Sequence, residues 1–116
     1  MKTFSLTDIG RVRESNQDYV YTSESPVGNL PNLFIVADGM GGHNAGDFAS
    51  KYTVEQIVSY IEDAPMTSPV DLIRGALNKT NASLMAMAKS EESLNGMGTT
   101  AVIATIVNDC MYVANI

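Results

Sequence analysis

Cysteine is nearly missing from this chain, with Cys110 the only one in 116 residues. Without a second thiol there is no intrachain disulfide, which agrees with a reducing compartment and a cytoplasmic location. Cys110 lies between Asp109 and Met111 at the start of an apolar run, and is expected as a partly buried strand thiol. Basic residues are scarce too: seven Lys and Arg stand against thirteen Asp and Glu, giving a formal net charge of −6. The seven are scattered, so no stripe exists to neutralise nucleic-acid phosphates, and no nucleic-acid partner is expected. A phosphorylated substrate stays compatible with an acidic chain if a metal ion supplies positive charge locally. No apolar stretch approaches the roughly 20 residues of a membrane span. The start, Met1-Lys2-Thr3-Phe4-Ser5, has no apolar core of the kind a signal peptide needs.

What is present reads as globular, with 45% apolar and 17% charged residues, a balance that separates folded from disordered chains. The length suits one small domain or part of a larger one. Residues 3–8 read as a short strand, 11–18 as a polar connector and 19–22 as a β-branched and aromatic strand. Ser25-Pro26-Val27-Gly28-Asn29-Leu30-Pro31 is dense in turn formers and predicts a hairpin loop. The wholly apolar run Leu33-Phe34-Ile35-Val36-Ala37 returns as a strand expected to be covered on both faces.

Helical spacing follows. Ala45, Phe48, Ala49, Tyr52, Ile57, Val58 and Ile61 lie along one helix, with Asn44 as N-cap and Asp47 in the first turn. It is expected to end near Asp63-Ala64-Pro65. Ser68 or Pro69 opens a second helix with Leu72, Ile73, Ala76, Leu77, Thr80, Leu84, Met87 and Ala88 on one face, stopping at Gly96-Met97-Gly98. Met85 and Met87 are expected as core filler. Residues 99–107 are β-rich, Asn108-Asp109 signals a hairpin turn, and 111–114 begin another strand. Strands, two helices, then strands favour an α+β fold with antiparallel sheet. The chain stops in a strand pattern at Val113-Ala114-Asn115-Ile116 without a polar tail, so a missing C-terminal part is expected.

Asp38-Gly39-Met40-Gly41-Gly42-His43 carries the strongest chemical signal. A carboxylate at the end of an apolar strand is held rigidly while its oxygens face a crevice. Adjacent glycines let backbone approach a ligand. Turn chemistry alone is one reading of this string. A dinucleotide fingerprint is another, but its third glycine would fall at position 44, which is Asn. Upstream, Arg13-Glu14-Ser15-Asn16-Gln17-Asp18 combines a guanidinium fork suited to phosphate with a carboxylate at a strand start; by itself it also reads as a solvated polar loop. Downstream, Gly98-Thr99-Thr100 places two hydroxyls at the head of a strand, where Thr is in any case a common residue.

As a set, these segments resemble the metal-dependent protein phosphatase family, type 2C, in its bacterial form. The matches are Arg13-x-x-Asn16-Gln17-Asp18, then Asp38-Gly39-Met40-Gly41-Gly42-His43-x-Ala45-Gly46, then Gly98-Thr99-Thr100. Tyr112-Val113-Ala114-Asn115 looks like the lead-in to that family's Gly-Asp-Ser-Arg segment. The resemblance implies the N-terminal part of a four-layer α-β-β-α sandwich with two antiparallel sheets, so that residues 1–116 form a single incomplete domain. It implies hydrolysis of phosphoserine and phosphothreonine on proteins, opposing a serine/threonine kinase, with two Mn²⁺ or Mg²⁺ ions. Those ions make water a usable nucleophile near neutral pH and hold the phosphoryl oxygens, and hard oxygen ligands suit them.

By position, the resemblance assigns Asp38 as the ligand shared by both metals and the Gly39 carbonyl as a ligand to one. Asp18 reaches the site directly or through water, and Arg13 holds the phosphate. Gln17 stands where the family usually has an acid and is read as a supporting residue. Met40 stands where animal members have a histidine. His43, the only histidine, is the candidate to protonate the leaving alkoxide; its other reading is a surface residue at a helix start. The remaining metal carboxylates of the family lie beyond residue 116. These 116 residues alone are therefore expected to bind Mn²⁺ weakly, show little activity and self-associate through an open apolar sheet face. The alternative function is a truncated, non-catalytic module that binds phosphoprotein or regulates a partner.

Overall fold

A computed structural model of the chain describes residues 18–41, 45–94 and 96–116. Expectations for residues 3–8, Arg13, Asn16, Gln17, His43 and the Asn44 cap lie outside these. The first strand, β1, runs Asp18–Ser23, and β2 runs Leu33–Met40. Between them Val27 and Leu30 form an isolated bridge that closes the expected hairpin loop. Helix α1 spans Ala45–Asp63 and α2 spans Pro69–Ser90, followed by a 3₁₀ turn at Glu92–Leu94. Strands β3, Gly98–Val107, and β4, Cys110–Asn115, complete the chain. The sheet has four strands in the order β1-β2-β3-β4, every neighbouring pair antiparallel. The α+β arrangement expected from the order of elements is the one observed.

Alternation along β2 decides which face is covered. Leu33, Ile35 and Ala37 are fully buried, and with Ala101 and Ile103 of β3 they meet Val54, Ile57 and Ile61 of α1 and Leu72, Ile73 and Ala76 of α2. The even-numbered residues project the other way, and Val36 is 50% exposed. The 33–37 run is thus covered on one face in these residues, not on both. Both helices lie between β2 and β3 in the chain and pack on the same face of the sheet. Its open face continues through Val102 and Val113, 45% and 58% exposed.

Local chemistry sets the element ends. Ser68 caps α2, its Oγ accepting from the Asp71 amide at 3.4 Å, with Pro69 at the first helical position. The β3–β4 turn uses Asn108 and Asp109 at φ 49° and 65°, the left-handed pair of a type I′ hairpin. Helix α2 stops at Ser90, six residues before Gly96; Glu91 is already extended at φ −125°. Two acidic residues, Glu91 and Glu92, follow the helix C-terminus, where the macrodipole disfavours negative charge.

Two expectations fail on side-chain direction. Met85 is 52% exposed, because it lies a further 100° round the helix from the Leu84 stripe, while Met87, three residues on from Leu84, packs into the core. Cys110 is exposed, since it directly follows the turn residue Asp109 at the first position of β4.

Asn32 locks the register of β2 on β3. It is 5% exposed; its Nδ2 donates to the Ile106 carbonyl at 2.8 Å, and its Oδ1 accepts from the Ile106 amide at 2.8 Å. The fully buried Thr105 hydroxyl donates to the Asn32 carbonyl at 2.7 Å. Asn32→Ala leaves buried backbone groups of Ile106 unsatisfied and is expected to destabilise the fold by about 2–4 kcal/mol. Chemical denaturation of the two proteins measures this difference.

Candidate metal centre

The same alternation that buries Leu33, Ile35 and Ala37 turns Asp38 onto the open face. There it is the register partner of Asp18 on one side and of Thr100 on the other. The three form a polar row across β1, β2 and β3. The next row inward, Val20–Val36–Val102, is apolar. The sheet therefore ends in a polar edge where its apolar face stops.

Directly opposed residues of an antiparallel pair hold their Cβ atoms about 4.5–5.5 Å apart, and like charges placed so are unfavourable. Asp18 and Asp38 are both half-buried, which sharpens that cost. A divalent cation offsets it, and carboxylate oxygens are the donors hard cations prefer. The pair therefore fits a metal in donor type and placement. It falls short in number: among the described residues no group of three or more His, Cys, Asp and Glu is assembled.

Backbone adds one further donor. The Thr99 hydroxyl donates to the Asp38 carbonyl at 3.1 Å, and Thr100 Oγ1 stands 3.5 Å from the same oxygen. The Asp38 carbonyl thus points toward β3. Successive strand carbonyls point to opposite neighbours, so the Gly39 carbonyl points to the β1 side of β2.

Glycines let helix and strand approach each other here. A Cβ on Gly39 would lie 1.8 Å from the carbonyl oxygen of Gly46, in the first turn of α1. Both residues are buried. Gly41 holds φ at +143°, and a Cβ there would press on Ala45 at 3.0 Å. Around this junction Ala45, Ala49, Leu84, Leu94 and Met97 form a second small core. It joins the start of α1, the last turns of α2 and the head of β3. The strand end carrying Asp38 is therefore held from three sides.

Of the residues expected at the site, the structure brings together Asp18, Asp38 and Gly39. Arg13 and His43 lie outside the described residues. Met40 is 54% exposed two positions along from Asp38, on the same face. Reading the sequence found the two threonines as hydroxyls at a strand head, and missed that both converge on the carbonyl of Asp38. The register pairing of Gly39 with Thr99 and Asp38 with Thr100 was the information lacking.

Known proteins share this sequence pattern and fold. Residues 10–116 match the protein phosphatase 2C family. The serine/threonine phosphatase stp of Listeria monocytogenes is 39% identical over 114 residues, which take in 95% of this chain and 44% of the Listeria protein. The crystal structure of Staphylococcus aureus serine/threonine phosphatase Stp1 superposes with a TM-score of 0.79 at 30% identity, over 95% of this chain and 44% of that one. The catalytic domain of the serine/threonine protein phosphatase PstP, solved in complex with two manganese ions, gives 0.76 at 30% identity over 94% and 44%. The chain thus spans less than half the length of these relatives. With the match running through nearly all of its residues, the chain belongs to the protein phosphatase 2C family.

Proposed function

We propose that the protein containing this chain hydrolyses phosphoserine and phosphothreonine on other proteins, in the cytoplasm and in opposition to a serine/threonine kinase. The observation that carries the reading is the Asp18–Asp38 register pair at the end of the open sheet face, beside the glycine junction with α1. Residues 1–116 contribute one layer pair of an incomplete domain. The open apolar face of Val36, Val102 and Val113 is the surface that a second sheet covers in a sandwich.

In this reading Asp38 would be the shared carboxylate holding Mn²⁺ or Mg²⁺, the Gly39 carbonyl would add a backbone donor, and Asp18 would support the site directly or through water. When bound, the ions supply a water nucleophile near neutral pH and neutralise charge on the phosphoryl oxygens. The chain's own residues do the rest. The β2 strand end fixes the carboxylate against the ladder, so no reorganisation is needed as charge develops. Arg13 offers a planar fork to the phosphate. His43 donates a proton to the departing serine or threonine oxygen. Once a second sheet covers it, the apolar row behind Asp38 would limit water on that side of the site.

The test is hydrolysis of a phosphothreonine peptide by the full-length protein. Activity is expected with Mn²⁺ or Mg²⁺ and lost with a chelator; equal activity in both conditions contradicts the reading. The isolated 116-residue chain is expected to show little Mn²⁺-dependent hydrolysis of p-nitrophenyl phosphate, because two carboxylates leave a pair of divalent ions under-coordinated. Robust turnover by the chain alone would show that the donor set is complete without further carboxylates.

A further inference from the structure

We propose that Thr99 is a positioning residue for the metal centre, acting through the backbone of Asp38. This inference rests on the metal-site reading above. Thr99 is half-buried and pairs in register with Gly39, so its side chain starts on the face toward the helices, opposite the carboxylates. Its hydroxyl turns back along the ladder. Oγ1 lies 3.1 Å from the Asp38 carbonyl and 2.9 Å from the carbonyl of Thr100. A single hydroxyl proton shared between these two oxygens ties the strand end that carries Asp38 to β3.

The location gives this tie its consequence. Strand β2 ends at Met40, and β3 begins at Gly98, so the β2–β3 ladder has only two residue pairs left beyond Asp38 and Thr100, namely Gly39–Thr99 and Met40–Gly98. Strand ends fray, and the residues here must hold both the Asp38 carboxylate and the Gly39 carbonyl in fixed directions. Glycine at 39 adds backbone freedom at that very place. The Thr99 hydroxyl offsets that freedom by holding the peptide between Asp38 and Gly39. Groups that orient a metal ligand without touching the metal typically affect affinity by about 10–100-fold when removed. Thr100 also reaches the Asp38 carbonyl, at 3.5 Å, so the lower end of that range, about tenfold, is expected for Thr99 alone.

The experiment compares Thr99→Val, Thr99→Ser and Asp38→Asn in the full-length protein. Mn²⁺ affinity is read by isothermal titration and by the metal concentration giving half-maximal thermal stabilisation, neither of which requires turnover. Valine keeps the β-branched shape and removes only the hydroxyl; serine keeps the hydroxyl. Thr99→Val is expected to weaken Mn²⁺ binding about tenfold, with Thr99→Ser close to wild type and Asp38→Asn losing most binding. If Thr99→Val binds as wild type does while Asp38→Asn fails, the positioning role is overturned and the site stands. If Thr99→Ser falls as far as Thr99→Val, the hydroxyl is not the operative group and the proposal is overturned. If Asp38→Asn itself binds Mn²⁺ normally, the metal-site reading falls and this proposal falls with it.

Discussion

Asp38→Asn in the full-length protein is expected to reduce metal-dependent phosphatase turnover by more than about 100-fold, beyond the range seen when only an orienting group is lost. The substitution is nearly isosteric, so the strand and its register with Asp18 and Thr100 have no steric reason to change. What changes is charge and donor strength. An amide oxygen is a poorer ligand for Mn²⁺ or Mg²⁺ than a carboxylate, and in the proposed site the loss of a carboxylate shared by two ions would affect both. Melting without metal is expected to stay within a few degrees of wild type, which separates a lost site from a lost fold. Adding Mn²⁺ should then raise the melting temperature of the wild type and leave the variant almost unmoved. Turnover that survives Asp38→Asn would show that the ligand assignment is wrong.

The second large effect is expected from Gly39→Ala, and it is structural in origin. The added methyl would lie 1.8 Å from the Gly46 oxygen, 2.6 Å from its carbonyl carbon and 3.0 Å from its Cα. All three are backbone atoms, so no side chain can turn aside. Strand β2 or the first turn of α1 must shift, and with it the small core of Ala45, Ala49, Leu84, Leu94 and Met97. Overpacking of this kind typically costs about 1–3 kcal/mol and sometimes more, or roughly 2–12 °C in melting temperature for a full-sized domain. Gly98→Ala is the matched control. A Cβ there would meet only the flexible Met40 side chain, at 3.5 Å and 3.7 Å, and little change is expected. A Gly39→Ala protein as stable as Gly98→Ala would contradict the close strand–helix packing.

How much of this was legible in the sequence depends on whether a signal was local. Helix α1 showed its buried stripe through 3.6-residue spacing, and Ala49, Ile57 and Ile61 are indeed fully buried. Turn chemistry at Asn108 and Asp109 depends only on tolerance for positive φ, so the β3–β4 hairpin was readable too. Ser68 and Pro69 announced the start of α2. Of the features missed, the coverage of β2 depends on partners distant in sequence. An apolar run such as 33–37 reads as doubly covered, yet only the odd-numbered side meets helices in these residues. Helix α2 ends at Ser90 with Glu91 already extended, six residues before the glycine at 96. Met85 and Cys110 are apolar or soft residues whose exposure follows from helix angle and strand position, which composition does not record.

The candidate site divides in the same way. Asp38 and Gly39 stood out as candidates because a strand-end carboxylate followed by glycines is a contiguous string. The pairing with Asp18 needed the resemblance to a family before the structure, and the role of Thr99 needed the β2–β3 register itself. Sixty-one residues separate Thr99 from Asp38 in the chain, and no local pattern spans that distance.

The central claim is that the end of β2 is a ligand platform for divalent metal. A crystal of the full-length protein grown with Mn²⁺, with data collected near the manganese absorption edge, tests it most directly. The account predicts anomalous density within roughly 2.0–2.4 Å of an Asp38 carboxylate oxygen, with the Gly39 carbonyl in contact with the same ion. Manganese bound elsewhere, with Asp38 and Gly39 touching no ion, would contradict it.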